Sequence, residues 1–226
     1  MERAPKIIEL YGLPGAGKTT ICNFFREQSG LQVGKVHLVM DLYKKEALSF
    51  KIIHFPLFQC IKLTFFLLIT KHKRGSFVAV YKLFYYLLIA YNYCQYQKEY
   101  EYIVVDHGMV QQLGSMLHNS EYKITQKALD RYSKLLISIR NVYYVYCYIS
   151  KETALNRMRV RGRNLGRIDA VMDNALMAYD LMEKETNLFE KLSSALENSA
   201  VGMVADMESS KEELLNFIMD GITLKQ

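Results

Sequence analysis

Eight residues near the start of the chain, Gly12 to Thr19, read G-x-x-x-x-G-K-T. This spacing suits polyphosphate binding. Gly12, Gly15 and Gly17 permit backbone conformations and close approaches that a Cβ would block. The N–H groups of Gly12, Gly15, Ala16 and Gly17, continuing into Lys18, Thr19 and Thr20, can then point inward at an anion. The positive end of the following helix adds to the attraction. Lys18 is placed to reach the β- and γ-phosphates, and the Thr19 hydroxyl to ligate Mg²⁺.

Two carboxylates and an arginine cluster extend this chemistry. Asp106 ends the run "YIVVDHG", where an acidic residue can hold the Mg²⁺ shell or orient the attacking group. Asp41 closes "KVHLVMD", where it could hydrogen-bond an acceptor hydroxyl or simply cap a helix. Five arginines, Arg157, Arg159, Arg161, Arg163 and Arg167, fall in "ALNRMRVRGRNLGRID". Arg157 and Arg161 share a helix face one turn apart. Arg163 and Arg167 belong to a loop edged by Gly162 and Gly166. Guanidinium groups on such a lid suit a triphosphate better than lysines do, and can stabilise charge developing in transfer. Catalytic candidates are therefore Lys18, Asp106, Arg157, Arg161 and Asp41. Thr19 and Asp106 are the candidate metal ligands, and Arg163 and Arg167 join the loop in cofactor binding.

The elements that must position these groups are legible as alternating patterns. Continuous apolar runs at 6–11, 35–40, 102–105, 142–149 and 201–204 read as parallel strands covered on both faces. Helical periodicity fills 19–28, 125–139, 151–161, 169–196 and 210–219. Ser150 and Asp169 read as N-caps and Gly162 as a C-cap. The alternation implies an α/β doubly wound domain of three layers, with ligands at the carboxyl ends of the strands.

The 226 residues suit one domain, 1–226, with a helical, aromatic-rich region at 43–100 and a lid at 151–168. Half of the residues are hydrophobic and the formal charge is +6. That charge suits a polyphosphate ligand. Nucleic acid would want the charge spread along an extended face, which makes it the less favoured partner. Cys22, Cys60, Cys94 and Cys147 have no metal or C-x-x-C spacing and read as reduced core residues of a cytoplasmic protein. The first ten residues carry no signal-peptide h-region.

The segments "IIHFPLFQCIKLTFFLLIT" and "FVAVYKLFYYLLIAYNYC" approach membrane-span length. His54, Pro56, Gln59, Lys62, Lys82 and Asn92 interrupt them, and such groups are costly at mid-span. Core helices flanking the sheet fit this region best; peripheral membrane contact or a self-association face, and hence a homodimer, stays open. A GTPase would show D-x-x-G and N-K-x-D, and neither occurs.

The loop "GLPGAGKTT" and the arginine segment together resemble the thymidylate kinase branch of the P-loop nucleoside monophosphate kinases. The resemblance spans roughly 1–40 and 100–220. It implies a 2-3-1-4-5 parallel sheet, ATP and Mg²⁺, and transfer of the γ-phosphate to a nucleotide or other small-molecule acceptor. Three departures fall on the acceptor side. Pro14 stands where the family usually has an acid, Asp106-His107 where it has D-R, and "MDLYKKEALSF" where it has a proline-glycine turn. Between 42 and 100 the sole arginine is Arg74. Lys44, Lys45 and His107 could recognise a phosphorylated acceptor in part. Tyr81, Tyr85 and Tyr86 could stack on a base or belong to the core. An alternative to the enzyme is a nucleotide-responsive binding protein that uses 43–100 to contact a membrane or partner.

Overall fold

Hydrophobic alternation on a central parallel sheet organises the chain. The computed structural model describes residues 4–30, 36–39, 57–69, 76–117, 124–161 and 175–225. The strands are β1 (Lys6–Tyr11), β2 (Val36–Val39), β3 (Tyr102–Val105), β4 (Val142–Tyr148) and β5 (Gly202–Asp206). All pair parallel, in the order β2-β3-β1-β4-β5. The described helices are α1 (Lys18–Glu27), α2 (Leu57–Ile69), α3 (Ser76–Cys94), α4 (Met109–Leu117), α5 (Gln126–Ile137), α6 (Lys151–Arg161), α7 (Ala175–Glu197) and α8 (Lys211–Leu224).

Successive side chains of a strand point to opposite faces, and here each face has its own core. Ile7 and Tyr11 of β1, Ile103 and Val105 of β3, and Val142, Tyr144 and Tyr146 of β4 pack with α2, α3, α4, α5 and the second half of α7. Ile8 and Leu10, Tyr102 and Val104, and Val145 and Cys147 pack with α1, α6, α8 and the start of α7. Glu9 lies between Ile7 and Tyr11 and so enters the first core, where it is fully buried.

Helix ends follow local rules. Thr125 accepts from Ala128 N at 3.2 Å to start α5, and Ser210 and Glu213 form a reciprocal capping box on α8. Ser150 caps α6 by accepting from Thr153 N at 3.1 Å. The strand pairing sets β1 between β3 and β4, with Glu9 level with Val105 and Tyr144. The chain segments leaving β1, β3 and β4 therefore meet at one edge of the sheet, as they must at a topological switch point.

The expected helix at 169–196 starts at Ala175 among the described residues, and that at 210–219 continues to Leu224. The expected strands at 142–149 and 201–204 run instead over Val142–Tyr148 and Gly202–Asp206. Short α4 was not among the expected helices; its start is held by a residue 100 positions away, described below. The four cysteines are free and buried. Among the described residues no helix is long and apolar enough to cross a membrane.

Candidate functional site

The phosphate-type loop leaves β1 and enters α1 at Gly17, which has φ 89° and serves as its N-cap. Gly15 has φ 82°, and a Cβ there would lie 2.7 Å from Ala154 O. Glycine is thus required both by the turn and by the seat of α6 against the loop. Ala16 is buried and its N–H donates to Leu13 O at 3.2 Å. Lys18 Nζ donates to Gly12 O and Leu13 O, each at 2.9 Å. The ammonium is therefore anchored beside the loop, with two of its three donors engaged there. Thr20 is exposed at the third position of α1.

Asp106 follows β3 directly and is 2% exposed. Its Oδ2 accepts from Thr19 Oγ1 at 2.7 Å. Its Oδ1 is buried without a hydrogen-bond partner among the described residues. An orphaned carboxylate oxygen is costly to keep. Beside a hydroxyl and a phosphate-type loop, it presents the hard oxygen donors that suit Mg²⁺. Among the described residues no group of three or more His, Cys, Asp or Glu could hold a metal.

Helix α6 brings an arginine to the same place. Arg157 Nη1 lies 3.8 Å from where a Cβ on Gly17 would sit, so the guanidinium stands over the end of the loop. The helix is held by the Lys151–Glu183 ion pair to α7 and by Thr153 Oγ1 donating to Glu208 at 3.1 Å. Arg161 ends α6, and its side chain lies outside the described residues. So do Arg163, Arg167, Asp41, Lys44, Lys45 and the expected caps Gly162 and Asp169. His107 is exposed next to Asp106. The rings of Tyr81 and Tyr85 stack at 6.1 Å, but both are partly buried against the core. Their surroundings are those of core residues.

Sequence reasoning missed a buried network behind the loop. Glu9 Oε1 accepts from Val110 N at 2.7 Å and Gln111 N at 3.3 Å, at the start of α4. Glu9 Oε2 accepts from Tyr91 Oη at 2.5 Å. Gln111 Oε1 in turn accepts from Gly12 N at 3.1 Å. Gly108 must be glycine, since a Cβ there would lie 2.2 Å from Tyr91 Oη and 2.3 Å from the Glu9 carboxyl carbon. One carboxyl thus ties α3, the turn after Asp106 and the phosphate-type loop together. Burial pushes its pKa up to about 7, against the lowering effect of its hydrogen bonds to Tyr91, Val110 and Gln111. The available signal was one carboxylate in an otherwise apolar strand, a group that must find partners if buried.

Two thiols stand near the loop. Burial pushes Cys147 up to about 12 and Cys22 well above its ordinary value. Both are therefore neutral packing groups rather than nucleophiles.

No protein-family model matches the sequence, and no curated protein matches it at the sequence level. Solved structures do match. Deoxyadenosine kinase from M. mycoides with bound dATP is 18% identical, over 96% of this chain and 99% of that one, with a TM-score of 0.51. The fold is shared with P-loop kinases. YorR from Bacillus subtilis, in complex with phosphorylated GDP, is 14% identical, over 97% and 96% of the two chains, with a TM-score of 0.50. At such identities the likeness speaks for the fold, and the thymidylate kinase branch is not singled out by it.

Proposed function

We propose that the protein is an ATP-dependent phosphotransferase, moving the γ-phosphate of ATP to a hydroxyl of a small acceptor, a nucleoside in preference to a nucleotide. The observation that carries this reading is the meeting of Lys18, Thr19, Asp106 and Arg157 at one sheet edge. Thr19 and Asp106 are joined at 2.7 Å there, beside an orphaned carboxylate oxygen. In this reading the N–H groups of Gly15, Gly17, Lys18 and Thr19, together with the Lys18 ammonium, hold the donor phosphates. Arg157 adds a positive charge whose interaction with the phosphoryl oxygens strengthens as transfer proceeds. Thr19 and Asp106 would hold Mg²⁺, which supplies charge neutralisation at the β- and γ-oxygens when bound. Arg161, Arg163 and Arg167 complete the lid, and Asp41 receives the acceptor hydroxyl.

The nucleoside preference rests on what the acceptor half lacks in sequence. A phosphorylated acceptor wants bidentate cationic recognition. His107 follows Asp106 where an arginine would serve, and Arg74 is the sole arginine from 42 to 100. Deoxyadenosine kinase, a nucleoside kinase by name, shares the fold and adds support. The test is transfer from γ-labelled ATP across deoxynucleosides, nucleoside monophosphates, sugars and small alcohols. Labelled nucleoside monophosphate as the main product supports the reading. Preferential labelling of a monophosphate acceptor would return it to the thymidylate kinase type, and transfer to none would leave the binding-protein alternative.

A further inference from the structure

Helix α2 is apolar on two opposite sides, and among the described residues only one side packs into the core. Cys60, Leu63, Phe66 and Leu67 face the core, where Phe66 packs on Phe84 of α3 and Tyr132 of α5. Leu57, Phe58, Ile61, Phe65 and Leu68 remain 61%, 63%, 46%, 53% and 65% exposed. At 100° per residue these five occupy an arc of about 100°, the width of a packing face rather than of scattered surface residues. Their exposed area is on the order of 600 Å², at the top of what a monomer's largest apolar patch reaches. Stability of the domain gives no reason for such a face.

The rim of the face is cationic. Lys62, the only charged residue of α2, holds its Nζ 4.4 Å from the Phe58 ring centroid and donates to Lys134 O at 3.2 Å. The Arg131 guanidinium lies 5.5 Å from the centroid of Phe65. On α5, Lys127, Arg131 and Lys134 recur at i, i+4 and i+7 and so share one side of that helix. Asp130 is the one acidic residue of α2 and α5, and it accepts from Gln126 Nε2 at 2.9 Å.

An apolar face rimmed by cations offers both contributions to peripheral binding, buried apolar area and attraction to anionic headgroups. The same charges oppose a second copy. A two-fold contact across this face would gather the cations of both copies along one seam, with Asp130 the single acid of α2 and α5 to offset them. We propose that the outer face of α2, with the cationic edge of α5, docks the protein on an anionic lipid surface.

The test is co-sedimentation with phosphatidylcholine vesicles prepared with and without phosphatidylglycerol. The wild-type chain is expected to bind the anionic vesicles and to release from them as salt rises. Phe65→Glu with Leu68→Glu should lose at least tenfold in partitioning, and Lys134→Gln roughly fivefold. Both variants should keep the wild-type unfolding temperature and the vesicle-free transfer rate, since none of these residues touches the loop. Lack of binding at low ionic strength overturns the proposal, as does equal binding to phosphatidylcholine alone. A wild-type dimer that the Phe65→Glu and Leu68→Glu changes convert to monomer also overturns it and assigns the face to a second copy.

Discussion

Glu9 shows how one buried carboxyl can tie together the elements behind a candidate site. Its carboxyl titrates near 4.5 when unfolded and near 7 in the fold, chiefly because burial disfavours the charge. Between those values the native state binds more protons than the unfolded chain, so stability falls as pH rises through the window. This group's stabilising share is complete below the unfolded value and gone above the folded one, a difference of about 3 kcal/mol. The neighbouring phenols Tyr91, Tyr132, Tyr144 and Tyr11 are all pushed above their ordinary values by burial and stay neutral across it. Chemical denaturation of Glu9→Gln at about pH 5 and about pH 8 should therefore show a smaller difference than the parent. An unchanged pH slope would contradict the assignment. At the same scale, Lys18→Ala and Arg157→Ala are each expected to lower turnover on the order of 10²-fold. Arg157→Lys should recover little of it, because a point charge does not reproduce the guanidinium fork. Full activity in Arg157→Lys would show that charge alone suffices there. The loop conformation was legible from spacing because its glycine positions are encoded locally. Glu9 was not, because its partners lie 82 to 102 residues away in sequence.

Among the elements, strands were legible where burial on both faces makes them continuous apolar runs, as at Lys6–Tyr11 and Tyr102–Val105. Helix α4 was not, since it is nine residues long and its first N–H groups are satisfied by Glu9 rather than by a local cap. Helix α2 carried a misleading signal: its two apolar faces read as a near-span, yet it is 13 residues long. The joint of α6 with the loop gives a test at this scale. Gly15→Ala would force a Cβ to 2.7 Å from Ala154 O at a positive φ. The expected result is a loss of about 1–3 kcal/mol in stability together with weakened ATP binding. Denaturation and nucleotide titration of the same sample would check it, and a neutral result would mean that α6 does not seat on the loop.

For the whole molecule, the sheet gathers the loop after β1, the aspartate after β3 and the arginine helix after β4 at one edge, while α2 and α3 cover the first core. In the proposed reading, donor chemistry and acceptor choice belong to different parts of the structure. The donor side follows from a motif and two single residues. The acceptor side depends on aromatic packing, which looks alike in sequence whether it serves a core or a ligand, as Tyr81 and Tyr85 illustrate. The most direct measurement is the rate of labelled phosphate transfer from ATP, with Mg²⁺ and a deoxynucleoside, in the parent and in Asp106→Asn. Measurable transfer is expected in the parent, with a fall on the order of 10²-fold or more in the variant. Equal rates in the two proteins would contradict the proposed function.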